Sequence, residues 1–392
     1  MKFSNKFLLY FILAVVLIDC KKPYNPPAIT SPGSYLVVEG VINAGSDSTI
    51  IKLSRTVNLS SGTTNNPETG AIVSVQSSTN ASYPLVETST GSYAVAGLNL
   101  DVTKTYRISI KTSNNQQYLS DLVPVKVTPP VDSVGFTVQS NGIQLYVNSH
   151  DPNNNTHYYM WNYAETWQFH AKYYSAYITN GIAIVPRTLD QVVYSCFAND
   201  ASSTILLGSS AKLSQDVIYQ SPLTAVSSTS EKLETKYSIL VNEYALTSDA
   251  YNFYTNLKKN TEQLGSIFDA QPSEIAGNIH NVSNPNEPVV GYMSACTVQS
   301  KRIFITNAQL PTSWEATYPY DCQLDSIWFD VPKSKPPYNE VAAYLIPLGS
   351  GTIPVAAYYL PGSPSPAGYL SADQECVDCT LRGTKTPPSF WK

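Results

Sequence analysis

Six cysteines, four histidines and one run of aromatic residues carry most of the chemistry this sequence could offer. Cys376-Val377-Asp378-Cys379 has the spacing of a dithiol redox centre or half a zinc site. A redox pair sits at a helix start within a βαβ pattern, and a structural zinc needs a second close pair of ligands. This pair lies in a Gly/Pro-rich tail with neither companion, which favours structural disulfides. Cys196, Cys322, Cys376 and Cys379 are the disulfide candidates; four cysteines allow three connectivities, and spacing does not choose among them. Cys296 is the candidate for the unpaired thiol, because Gly291 to Val298 reads as a buried strand in which a cysteine packs as a small hydrophobe. The histidines, His150, His157, His170 and His280, form no HExxH or paired zinc spacing, and there is no nucleophile elbow, Walker loop or dinucleotide fingerprint. No catalytic residue, metal ligand or cofactor is therefore expected, with His280 the best candidate should chemistry exist.

Two further patterns invite a binding reading. Asp151, Asn153 and Asn155 alternate as in a calcium loop, yet Thr156 and Asn162 occupy the positions where that loop needs Gly and Glu, so an Asx/Pro turn is expected. Tyr159, Trp161, Tyr163, Trp167, Phe169 and Tyr173 share one parity and in an extended chain would line one sheet face. Such a face is either a sugar-stacking platform or core. Core is favoured, since aromatic residues dominate buried sheet faces whatever the function.

These residues lie in an exported frame. Lys2 and Lys6 precede the apolar run Phe7 to Ile18, a charged and then hydrophobic pattern that secretory machinery reads. The run is shorter than the roughly 20 residues a spanning helix needs. Leu17-Ile18-Asp19-Cys20 resembles a bacterial lipobox, with Asp19 departing from the small residue usual before the cysteine. Cys20 is accordingly the lipidation candidate, residues 1–19 a signal peptide and residues 20–34 a Pro-rich tether. A lipid-anchored position in the outer membrane follows as the expectation. The basic Lys21 and Lys22 lean it towards the periplasm rather than the surface. A net charge of −5, with no Lys/Arg-rich run, makes nucleic acid an unsuitable partner.

Tyr is abundant at 28 residues while only 14% of the chain is charged, a balance suited to exported β-proteins. Between Tyr35 and Val127 short strand-like runs alternate with turn signals, and Thr128-Pro129-Pro130 interrupts them. Residues 35–128 are read as an immunoglobulin-like or carboxypeptidase-regulatory-like β-sandwich. Residues 131–392 are read as a larger β-rich domain with one inserted helix near 248–267, capped by Ser248. The fold class expected is mainly β.

The phrase Tyr251 to Asp269, its continuation through Gly277-Asn278-Ile279-His280-Asn281 to Gly291-Tyr292, the opening Leu36 to Gly40 and the closing Glu375 to Gly383 with Pro387 to Trp391 resemble the domain-of-unknown-function 4249 family. That resemblance implies a bacterial envelope lipoprotein found with TonB-dependent outer-membrane receptors, with cysteines at positions like Cys196, Cys322, Cys376 and Cys379. It implies no reaction. The functional expectation is a non-enzymatic accessory or binding lipoprotein beside such a receptor; a surface glycan binder is the alternative and an envelope hydrolase the second.

Overall fold

The computed structural model describes residues 34–57, 66–262 and 277–391. The export signal, Cys20, the tether before residue 34 and the segment 263–276 lie outside the described residues. The first eight strands are β1 (Leu36–Asn43), β2 (Thr49–Arg55), β3 (Ile72–Ser77), β4 (Ser82–Ser89), β5 (Ser92–Val95), β6 (Thr105–Lys111), β7 (Gln117–Ser120) and β8 (Val123–Lys126). Next come β9 (Val131–Gln139), β10 (Gly142–His150), β11 (Tyr158–His170), β12 (Tyr177–Thr179), β13 (Ile184–Pro186), β14 (Ser195–Ala201), β15 (Leu206–Ser209), β16 (Val217–Ser227) and β17 (Lys236–Ala245). Helix α1 (Ser248–Glu262) precedes β18 (Ile279–Asn281), β19 (Ala295–Cys296), β20 (Val298–Thr306), β21 (Asp325–Trp328), β22 (Thr352–Tyr358) and β23 (Gly368–Asp373), and the short α2 (Gln374–Val377) follows them.

The molecule is mainly β, as the alternating runs predict. The first region differs from the expected sandwich. Its strands pair in the order β6-β3-β4-β5-β2-β1-β19-β8, and β8 pairs back to β6, so eight strands close into a barrel-like ring with β7 and β18 attached at β6. Closure removes exposed sheet edges. The ring is completed from far away in sequence: β19 slots between β1 and β8, parallel to both, through Ile42↔Ala295 and Ala295↔Val125. Residues 279–296 thus lie within the first region although the sequence places them beyond the 128–131 division. Gly291 permits this return, because its φ is +149° and a Cβ there would collide with the Val38 carbonyl oxygen. Inside the ring pack Leu36, Val38, Ile51, Leu53, Val73, Val75, Tyr93, Tyr106, Ile108 and Tyr118.

The second region is built on the antiparallel sheet β14-β11-β17-β20, to which β15 adds beside β11, and on a separate three-stranded sheet β16-β10-β9. Their facing sides share one core that includes Leu145, Val147, Tyr159, Trp161, Phe169, Tyr237, Ile239 and Val241. A smaller sheet, β21-β23-β22, and the β12–β13 hairpin form a third cluster around Val341, Leu345 and Tyr369. Helix α1 begins at the predicted Ser248, but the cap is Thr247, whose Oγ1 accepts the Ala250 N–H at 3.2 Å. The predicted stretch 263–267 is outside the described residues. Among the described residues no helix is long and apolar enough to cross a membrane.

Candidate functional site

Three strands of the second region finish at one end of the sheet: β11 at His170, β17 at Lys236 and β20 at Thr306. The ends are tied by short turns rather than left open. Ser230 Oγ accepts the Lys232 N–H at 3.3 Å and caps the 3-10 turn Glu231–Leu233, while the Asn307 N–H donates to Thr235 O at 3.0 Å. The loop after Leu310 then folds back, with the Thr317 N–H on Thr229 O at 2.8 Å. Between this loop and the strand ends lies a cleft of about 270 Å³. Leu233 and Leu310 are its buried apolar floor. Its working lining is Lys172, Glu234, Asn307, Trp314, Glu315 and Tyr318.

Glu234 is the fixed point of this cleft. Its Oε1 accepts the Tyr318 hydroxyl at 2.7 Å, and its Oε2 accepts the His170 N–H at 3.0 Å. Burial and the Glu234 carboxylate both raise the proton affinity of the Tyr318 hydroxyl, so it stays a donor. The Lys172 ammonium lies 4.8 Å above the Tyr318 ring, a cation–π contact that orients the lysine at the mouth. Behind this wall the Trp167 indole N–H donates to Glu231 at 3.3 Å, Glu231 pairs with Arg382, and the Arg382 guanidinium stands 4.6 Å over Phe169. The cleft therefore presents a half-buried indole, an amide, and exposed charges of both signs at Lys172 and Glu315 on a braced frame. That combination suits a small ligand having a polar rim and one apolar face.

None of the aromatic run weighed as core or sugar platform lines the cleft. Tyr159, Trp161 and Phe169 are fully buried in β11, Trp167 is buried and Tyr163 half-buried beside them. Tyr173 falls beyond the strand, packs near Cys322 and donates its hydroxyl to Cys322 O at 2.9 Å. The run is core. Its polar ends find buried carboxylates: Tyr159 donates to Asp216, and the Trp161 indole N–H donates to Glu243 at 2.7 Å. Glu243 also accepts Ser149 Oγ at 2.8 Å, and burial pushes its carboxyl up to about 7.

The four candidate cysteines form Cys196–Cys379 and Cys322–Cys376. The CxxC pair is thus split between two bridges. Cys296 is free and buried, its thiol pushed up to about 12 by burial. Asp151 turns inward and accepts the backbone N–H groups of Asn153, Asn155 and Thr156, the Asx-turn arrangement rather than a calcium loop. His280 is exposed on β18, 3.6 Å from the exposed Asp121 and away from the cleft. Among the described residues no group of three His, Cys, Asp or Glu gathers to hold a metal ion. Sequence reasoning missed the cleft because its lining comes from three separated segments. The one local signal was Trp314, a lone tryptophan following Pro311-Thr312-Ser313 in a stretch with no strand pattern.

Comparison with known proteins adds two findings. One solved structure, from Bacteroides uniformis and named provisionally as a carbohydrate binding protein, is similar at 13% identity, over 55% of this chain and 91% of that one, with a TM-score of 0.14. At that score the likeness bears on neither fold nor ligand. No curated protein matches the chain. A family model does match, over residues 21–302 and so over most of the sequence, and the chain belongs to the family described as Domain of unknown function (DUF4249).

Proposed function

We propose that this protein is a lipid-anchored envelope lipoprotein with a non-enzymatic binding role. It works beside a TonB-dependent outer-membrane receptor and takes a small polar ligand in the Trp314 cleft. The observation that carries the binding role is the cleft itself, where an indole face, an amide and two opposite charges surround a hollow held open by Glu234. The anchorage reading is supported by Lys2, Lys6, the apolar run to Ile18 and Cys20. A periplasm-facing anchor fits the basic Lys21 and Lys22. The receptor partnership is supported by the family resemblance of the sequence phrases.

A glycan is the second reading, and Trp314 is the residue that favours it. Tyr159, Trp161 and Phe169 of β11 are fully buried and closed to stacking, whereas Trp314 lines an open cleft with Asn307 and Glu315 at hand. Titrating a broad set of soluble saccharides against the Trp314→Ala and wild-type chains tests it: the expected outcome is saturable binding that the substitution weakens tenfold or more. Binding that Trp314→Ala leaves untouched would move the site elsewhere. Affinity isolation of the native protein from outer membranes, under conditions that keep receptor–lipoprotein pairs together, tests the partnership. Failure to recover a receptor there would defeat it.

A further inference from the structure

Residues 173–186 and residues 341–372 both lack Asp, Glu, Lys, Arg and His. The fold brings them together. The Ala176 N–H donates to Val355 O at 2.9 Å and Thr179 Oγ1 donates to Ile346 O at 2.6 Å. Each stretch contains a turn that raises one long aliphatic residue into solvent. Ile182, at the β12–β13 turn, is 83% exposed, and Leu348, in the loop before β22, is 73% exposed. The two turns touch, since a Cβ on Gly181 would sit 3.4 Å from Leu348. Beside them Tyr338 and Tyr344, both more than 40% exposed, place their rings 6.4 Å apart.

We propose that these paired turns dock on a lipid bilayer, with Ile182 and Leu348 entering the headgroup boundary and Tyr338 and Tyr344 lying at it. Large aliphatic side chains held out in water forgo the favourable transfer that burial gives. Here they are convex, adjacent and uncharged. A fluid apolar layer accepts such a pair without a preformed pocket, and tyrosine is enriched where that layer meets water. The two turns carry no acidic residue, which spares them repulsion from anionic lipids; Glu340, between the two tyrosines, is half-buried and its carboxylate accepts the Trp328 N–H at 3.1 Å. The inference rests on the lipid anchorage proposed above: residues 20–33 have a contour of at most about 50 Å, so an acylated Cys20 keeps the folded body within reach of the bilayer. A lipid chain plus a second contact holds more firmly than one chain alone.

The test uses the acylated full-length mature protein reconstituted into phosphatidylethanolamine/phosphatidylglycerol vesicles with brominated acyl chains. Tryptophan is introduced as Ile182→Trp, Leu348→Trp and, as a control on β16 where Tyr219 is 75% exposed, Tyr219→Trp. The expected result is loss of at least half of the added emission at positions 182 and 348 and no loss at 219. Equal emission at all three positions in a vesicle-bound chain would overturn the docking while leaving the anchorage intact. If the acylated chain does not sediment with vesicles at all, the anchorage reading fails first, and the docking with it.

Discussion

The ring and the five-stranded sheet both bury large aromatic residues, and they satisfy the polar ends differently. In the ring the Tyr93 hydroxyl donates to Glu68 O at 2.9 Å, Tyr106 to Asp101 O at 3.1 Å and Tyr118 to Glu287 Oε1 at 2.7 Å. These acceptors are two backbone carbonyls and a carboxylate that keeps 20% of its surface in water. In the sheet the acceptors are Asp216, Glu243 and Glu165, all under 5% exposed. Taking carboxylates out of water is costly unless donors or cations meet them. Glu165 has the Lys232 ammonium at 2.6 Å, and Asp216 accepts Ser210 and the Asp151 N–H as well as Tyr159. Burial raises the proton affinity of Glu243, and the neutral donors Trp161 and Ser149 offset that only in part. Both regions are held by continuous backbone ladders, and the sheet adds carboxylates buried inside it.

The two bridges make the contrast sharpest, since both staple the second region and, among the described residues, none joins the ring strands. Cys196–Cys379 spans 183 positions, and the chain-entropy account assigns a loop of that size about 5 kcal/mol. The double substitution Cys196→Ala, Cys379→Ala is expected to cost that order of stability in urea unfolding. Hydrogen exchange should show β11 and β14 losing protection while β1, β2 and β6 keep theirs. Uniform loss across both regions would mean that they unfold as one unit and that the comparison does not extend to stability.

The sheet should also respond to pH through Glu243. The Glu243 carboxyl has an ordinary value of 4.5 and a folded value of about 7, so between those limits the native state holds a proton that the unfolded state has released. The contribution is therefore fully present below about pH 4.5 and is lost as pH rises towards 7, with an upper size on the order of 3 kcal/mol. Glu243→Gln removes the titration. The stability difference between variant and wild type should thus shift in the variant's favour from pH 4.5 to pH 7, and a difference flat across that window would refute the assignment.

Much of this could be read before the structure, for physical reasons that also explain what could not. Val73 to Gln76 and Tyr106 to Ile110 alternate apolar and polar residues, and a period of two is visible within one strand. Cys296 was legible as a buried free thiol because its neighbours are uniformly small or apolar. Ring closure was not legible, since β19 is two residues long and its partners β1 and β8 lie more than 150 positions away. The family phrase Gly277 to Asn281 turns out to do structural work: Asn278 exchanges two hydrogen bonds with the Met293 backbone, and Asn281 Nδ2 donates to Glu287 at 2.7 Å. The cleft stayed hidden for the same reason as the closure. Lys172, Glu234, Asn307 and Trp314 meet only because three strands end together, and no local pattern records that.

The smallest expected effect separates the two regions at the level of one hydroxyl. Tyr237→Phe deletes a 2.6 Å bond to Oε1 of the buried Glu165, leaving the carboxylate with Lys232 on its other oxygen. Hydrogen bonds to charged groups are worth more than neutral ones, and the loss should be about 2 kcal/mol. Tyr106→Phe deletes a 3.1 Å bond to the Asp101 carbonyl, in an exposed turn where water can replace the donor, and the loss should be about 0.5 kcal/mol. Paired urea curves for the two variants measure the difference directly. If the ring substitution costs as much as the sheet substitution, the acceptor's charge is not what distinguishes them, and depth of burial alone would have to account for both.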